Sequence, residues 1–113
     1  LLSTTYKING TLNAVGTSND KIVISGNQGI GSILFTKLSL SWDEQTGKGS
    51  ILQNVIINSG IAIHIGDTAP KIDNCQINGS IRTSDSEGGI ALRNSKPIIT
   101  NNIITKSAYS TTL

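Results

Sequence analysis

Ile51-Leu52-Gln53-Asn54-Val55-Ile56-Ile57-Asn58 recurs as Lys71-Ile72-Asp73-Asn74-Cys75-Gln76-Ile77-Asn78, and again as Ile98-Ile99-Thr100-Asn101-Asn102-Ile103-Ile104-Thr105. The offsets are 20 and 27 residues. Leu52, Ile72 and Ile99 align as apolar positions. Val55, Cys75 and Asn102 follow three residues on, and Ile57, Ile77 and Ile104 two further. Side chains of a strand alternate with a period of two. A step of three therefore inserts one residue that turns the chain while both flanking strands keep an inward side chain. That corner residue is Asn54, Asn74 or Asn101, and Asn tolerates the left-handed conformation better than other non-glycine residues. Asn102 is a polar residue at an inward position and needs a hydrogen-bonding partner of its own.

A second element accompanies the repeat. Gly60-Ile61-Ala62-Ile63-His64 matches Gly89-Ile90-Ala91-Leu92-Arg93 at an offset of 29 residues, which aligns His64 with Arg93 on an outward face. Pro70 and Pro97 sit just ahead of the first strand of a repeat, where a missing N–H does least harm. The pattern reads as strand, Asn corner, strand, loop, third strand. Strands this short cannot bury a face as separate hairpins. Coils of about 20–30 residues stacked in parallel pair each strand with its equivalent one coil away and gather the Ile residues into one core.

Composition agrees. Ile is the commonest of the 113 residues, with 19 copies, and Ser, Gly and Thr follow. Ile and Thr favour strands; Gly, Asn and Ser favour turns. Aromatic residues make up only 4%, so the core is thin and aliphatic. Nine Lys and Arg against seven Asp and Glu leave a net charge of +2, which excludes a polybasic nucleic-acid binder. No apolar run approaches the roughly 20 residues of a membrane helix, so no membrane insertion is expected. A single Cys75 excludes an intramolecular disulfide framework. Gly26-Asn27-Gln28-Gly29-Ile30-Gly31 lacks the Lys-Ser/Thr ending of a phosphate loop.

The stretch Pro-x-Ile-x-Asn-Cys-x-Ile-x-Gly from Pro70 to Gly79, with Lys96-Pro97-Ile98-Ile99-Thr100-Asn101-Asn102-Ile103-Ile104 and Gly89-Ile90-Ala91-Leu92, resembles the right-handed parallel β-helix repeat of the pectate-lyase-like superfamily. The resemblance is firm over residues 50–105. It extends more weakly to Ile8-Asn9-Gly10-Thr11-Leu12, Lys21-Ile22-Val23-Ile24-Ser25 and Ser32-Ile33-Leu34-Phe35. It implies an all-β, right-handed parallel β-helix of about four to five coils, in one domain over 1–113. Irregular opening coils occupy 1–49, regular repeats 50–107 and a tail 108–113. It also implies an extracellular or cell-surface location. It does not fix the chemistry, because lyases, hydrolases, tailspikes and plain surface proteins share the fold.

Lyases of this superfamily use Asp- and Glu-bound calcium and an Arg or Lys base; the hydrolases use paired carboxylates. The corresponding residues are Asp67, Asp73, Asp85 and Glu87, with Lys71, Arg82 and Arg93 as cations. Only Asp73 lies in a repeat strand, and its equivalents Gln53 and Thr100 form no acidic ladder. Surface charge is the commoner role for such residues, so no catalytic residue, metal ligand or cofactor is assigned. The candidate ligand-binding residues are His64, Arg93, Arg82, Asp73 and Trp42. His64 beside Arg93 suits a carboxylated sugar, and Trp42 suits either a sugar ring or an apolar plug over a core edge. Asn54, Asn74 and Asn101 are structural corners. Cys75, flanked by apolar positions, reads as a buried, inert thiol.

The insertions at Trp42-Asp43-Glu44-Gln45-Thr46-Gly47-Lys48-Gly49 and from Gly79 to Gly88 leave room for function. Neither end shows an amphipathic capping helix, so the chain is expected to be part of a longer helix or to meet other chains through its open ends. The expected function is a non-enzymatic scaffold in a surface, secreted or particle-associated protein, with end-to-end assembly. The alternative is a carbohydrate-binding or polysaccharide-degrading β-helix whose catalytic residues lie outside this chain. The partners expected are a glycan or further copies of the chain.

Overall fold

A computed structural model describes residues 4–25, 31–58, 61–78 and 90–105. These residues contain twelve strands and no helix. The strands fall into four successive triplets. The first coil holds β1 (Thr4–Ile8), β2 (Asn13–Val15) and β3 (Ile22–Ile24); the second holds β4 (Gly31–Phe35), β5 (Ile51–Gln53) and β6 (Val55–Ile57). The third holds β7 (Ile61–Gly66), β8 (Lys71–Asp73) and β9 (Gln76–Asn78), and the fourth β10 (Ile90–Arg93), β11 (Ile98–Thr100) and β12 (Ile103–Thr105).

Equivalent strands pair in parallel across coils. The first sheet runs β1-β4-β7-β10, the second β2-β5-β8-β11 and the third β3-β6-β9-β12. Three all-parallel, four-stranded sheets built this way are the arrangement of a parallel β-solenoid of four coils. The spacing between paired residues varies from 20 (Ile51 with Lys71) to 38 (Asn13 with Ile51), so the loops absorb the length differences and every strand keeps its partner.

Register explains the core. The pairings stack Ile8, Phe35, Ile65 and Leu92 in one column, and Ala14, Leu52, Ile72 and Ile99 in a second. A third column holds Ile24, Ile57, Ile77 and Ile104. Their middle members Phe35, Leu52, Ile57, Ile65, Ile72 and Ile77 are buried, together with Val55, Ile63 and Cys75. Each fully buried aliphatic side chain of this size contributes about 1.5–3 kcal/mol. A slip of one residue would turn a whole strand's Ile residues outward, so the columns themselves fix the register.

The corners bend where one residue takes a left-handed backbone. Asn54, Asn74 and Asn101 have φ of 55°, 54° and 57°. Their amides join the coils: Asn54 Nδ2 donates to the Gly16 carbonyl at 3.0 Å, and Asn74 Nδ2 donates to Asn54 Oδ1. The corner backbone is paired as well, with Asn54 N–H donating to the Asp73 carbonyl at 3.2 Å and Asn74 N–H to the Thr100 carbonyl at 3.0 Å. In the first coil Gly16 occupies this corner, where a β-carbon would lie 2.7 Å from the Asn54 carbonyl oxygen. Asn74→Ala is expected to cost about 1–2 kcal/mol, from lost amide bonds and left-handed strain. Asn74→Gly loses the same bonds without the strain, so urea denaturation should place it between wild type and Asn74→Ala.

A second corner carries the same geometry. Asp67 and Asn94 have φ of 60° and 52°, and Asn94 Nδ2 donates to Asp67 Oδ1 at 2.8 Å. Next to it, buried Ser39 and Thr68 are joined by a 3.2 Å hydroxyl bond, and Ser95 Oγ donates to the Thr68 carbonyl. Asn78 Nδ2 donates to Asn58 Oδ1 at 2.6 Å at the end of the third sheet. Among the described residues, polar side chains thus stitch neighbouring coils at these corners, while the aliphatic columns fill the interior. Asn102, at its inward position, accepts from Cys75 N–H at 2.7 Å and donates to the Ile72 carbonyl at 2.9 Å.

Candidate functional site

The sequence candidates separate onto two outer faces. On the second sheet, Val15, Gln53, Asp73 and Thr100 form one outward row. Asp73 Oδ2 accepts from Gln53 Nε2 at 2.9 Å. Its Oδ1 accepts from Thr100 Oγ1 at 2.7 Å and from Asn101 Nδ2 at 3.1 Å. These donors come from the coils on either side. The Thr100 hydroxyl, then the Gln53 amide, with further help from Asn101 and Lys71, hold the Asp73 carboxyl below the usual carboxylate range.

Residues 41–49 fold onto the same sheet. Trp42 N–H donates to the Ala69 carbonyl at 3.0 Å, and Asp43 pairs with Lys48 across the loop. Gly49, at φ 116°, closes it; a β-carbon there would lie 2.0 Å from the Ser41 carbonyl oxygen. The loop brings Glu44 Oε2 to 2.8 Å from Lys71 Nζ, and the Lys71 ammonium sits 5.8 Å from the centre of the Trp42 ring. The hydrogen bond from Lys71 favours the charged form of Glu44 and lowers its pKa. Trp42 is half-buried. The Lys71 ammonium, from the same strand as Asp73, faces its ring.

The other candidates lie on the first sheet, with a correction to their alignment. Ile90 pairs with Ile63, so His64 is opposite Ala91, and Arg93 is opposite Gly66 rather than His64. The offset is therefore 27, not 29. The similarity of Gly60-Ile61-Ala62 to Gly89-Ile90-Ala91 favours 29. The coil instead follows its corners, because Asp67 and Asn94, Pro70 and Pro97, and Asn74 and Asn101 are all 27 apart. The two-residue shift preserves the alternation, so His64 and Arg93 stay on one face, one rung out of line. Arg93 Nη2 reaches Asp67 Oδ2 at 3.3 Å and lies over Gly66, where a β-carbon would be 2.9 Å from it. Half-buried His64 and exposed Arg93 line a hollow of about 190 Å³ with Leu34, Gly66, Ala91 and Leu92.

Arg82, Asp85 and Glu87 lie outside the described residues, as does the whole insertion from Gly79 to Gly88. Glu44 is a contributor that sequence reasoning missed. It faces Lys71 from 27 residues away through a loop whose path no periodicity announces. Cys75 is buried, its thiol donates to the Leu52 and Asp73 carbonyls at 3.4 Å, and burial pushes its pKa up. Among the described residues no group of three or more His, Cys, Asp or Glu side chains could hold a metal ion. No family model, curated protein or solved structure matches the chain.

The Asp73 contacts give a pH expectation. Because its folded pKa is depressed, the unfolded state binds the proton first as pH falls. The contribution of Asp73 is therefore present above about pH 4 and lost as pH drops through the lower folded value. Acid titration of unfolding should show a flatter acid limb for Asp73→Asn than for wild type. Parallel curves below pH 4 would show that these hydrogen bonds carry no stability.

Proposed function

We propose that the chain is a right-handed parallel β-helix of the pectate-lyase-like kind and acts as a non-enzymatic, rigid scaffold in a surface, secreted or particle-associated protein. One observation carries this reading. Several charged groups on the two outer faces are engaged with neighbouring coils or with the loop that straps them. Asp73 bonds Gln53, Thr100 and Asn101; Asp67 bonds Arg93 and Asn94; Glu44 bonds Lys71. Side chains committed to holding successive coils together are what a stiff rod needs. A general acid and base need instead an open space between them for substrate.

The test is depolymerisation. Incubation with acidic and neutral polysaccharides should release neither reducing ends nor unsaturated products. Release that disappears in Asp73→Asn or Arg93→Ala would overturn the scaffold reading.

A second reading rests on the hollow beside His64 and Arg93. Its cationic and imidazole groups above Leu34 and Ala91 suit a carboxylated sugar, which would make the chain a carbohydrate-binding β-helix. Isothermal titration with uronate oligosaccharides separates the two: saturable heat that Arg93→Ala removes supports binding, and no heat leaves the scaffold.

A further inference from the structure

Asn9 and Gly10 make the bend between β1 and β2, and both are exposed. The bend is anchored on both sides. Thr36 N–H donates to the Ile8 carbonyl at 3.2 Å, and Leu40 N–H donates to the Gly10 carbonyl at 2.9 Å. Between these anchors, no acceptor among the described residues takes the Gly10 N–H. A β-carbon built on Gly10 would meet nothing within 4 Å, so the space beside it is open.

The Asn9 side chain is held by its oxygen alone. Asn9 Oδ1 accepts from the Thr36 hydroxyl at 2.7 Å, while Nδ2 donates to no group among the described residues. Thr36 Oγ1 itself accepts from Leu38 N–H at 3.1 Å, which leaves its proton for the carbonyl oxygens of Ile8 and Asn9. A hydroxyl bonded to an amide oxygen draws electrons from the amide carbon and steadies negative charge that develops on that oxygen.

We infer that Asn9 is a self-modification site, converted with water as the only co-reactant through a cyclic imide. The Gly10 nitrogen, its proton lost to solvent, attacks Cγ of Asn9. The bond from the Gly10 nitrogen to Cγ forms, the bond from Cγ to Nδ2 breaks, and ammonia leaves with a proton taken from solvent. Water then opens the five-membered ring. Addition at Cγ leaves an aspartate; addition at the main-chain carbonyl leaves an isoaspartate, whose backbone runs through the β-carbon. No electrons are exchanged. One water is consumed and one ammonia released, and the bend gains a negative charge beside the Thr36 hydroxyl.

The other asparagines lack one part of this arrangement or another. Asn78 also precedes a glycine, but both ends of its amide are engaged: Nδ2 donates to Asn58 Oδ1 at 2.6 Å, and Oδ1 accepts from Gln76 Nε2 at 3.2 Å. Asn19 is exposed, yet the nitrogen that follows it is occupied, because Asp20 N–H donates to the Thr17 carbonyl and hydroxyl. At the corners Asn54, Asn74, Asn94 and Asn101 donate through Nδ2 to a neighbouring coil. Each also precedes a residue with a β-carbon, which crowds the attack.

The test is incubation of the folded chain in mildly alkaline buffer, followed by proteolysis and mass spectrometry. A gain of one mass unit should appear at Asn9 before any at Asn78, with isoaspartate among the products. The rate should rise with pH, because the attacking nitrogen must shed its proton. Gly10→Ala adds a methyl group into open space, so it should keep the fold. Crowding of the attack should slow its conversion about tenfold. Thr36→Val should slow conversion several-fold and Thr36→Ser should restore it, a recovery that packing alone would not give.

An Asn9 that stays intact in the folded chain over a period that converts it in the urea-denatured chain would overturn the inference. So would conversion at Asn78 ahead of Asn9, or equal rates in Thr36→Val and wild type. The scaffold reading stands or falls separately, on polysaccharide cleavage.

Discussion

Ile77→Asp is expected to abolish the cooperative fold. Ile77 is fully buried between Ile57 and Ile104 in the column that runs along the third sheet. A carboxylate there has no cation within the column, and the cost of burying it unpaired exceeds about 4 kcal/mol. Domains of this size are stable by only about 5–15 kcal/mol. A four-coil stack also has few other contacts to fall back on, because each coil depends on its neighbours. Circular dichroism should show loss of strand signal at 25 °C. Two controls define the cause. Ile77→Val should cost only about 0.5–1.5 kcal/mol, and Gln76→Asp, on the outward face of the same strand, should remain folded. A folded Ile77→Asp with a sharp melt would refute the inward assignment of the third column.

Phe35→Ala should be the most damaging truncation in the core, at about 3–5 kcal/mol. Phe35 is the single Phe of the chain and is fully buried, in the column between Ile8 and Ile65. In a core otherwise filled by Ile, Leu and Val, its ring is the largest object to remove. The backbone on both sides is held by β1 and β7, so the space cannot collapse. Chemical denaturation should show a lowered midpoint with little change in slope. A loss under 1 kcal/mol would mean that the first sheet relaxes into the gap and is looser than its pairing indicates.

How far the sequence reveals this architecture depends on the kind of residue. Asn54, Asn74 and Asn101 disclose their turns because one extra residue between two period-two runs has no other economical reading. Their left-handed φ values follow from the same count. Asp67 and Asn94 make an equivalent corner, with equally positive φ, yet no repeat count reveals them. One is Asp and the other Asn, and neither stands between two aligned strands in the way Asn74 does. The 29-residue alignment of His64 with Arg93 shows the opposite hazard. Identity in a short Gly-Ile-Ala stretch outweighed the 27-residue spacing of the corner residues around it, although backbone pairing obeys the corners. The Glu44 contact with Lys71 was illegible for a different reason. A loop that folds back over a sheet has no period, and the contact depends on backbone angles such as that of Gly49, which no neighbour in sequence announces.

The Trp42 loop has one consequence in optics. The chain contains a single Trp, so its fluorescence comes from one known place. That indole sits in the strap formed by Glu44 and Lys71, outside the aliphatic columns. Emission therefore reports whether the strap is seated, while far-ultraviolet dichroism reports the coils. Salt or a Lys71→Met exchange should move the emission to longer wavelength before the coils melt, which makes the strap and the stack separately visible in one sample without any added label.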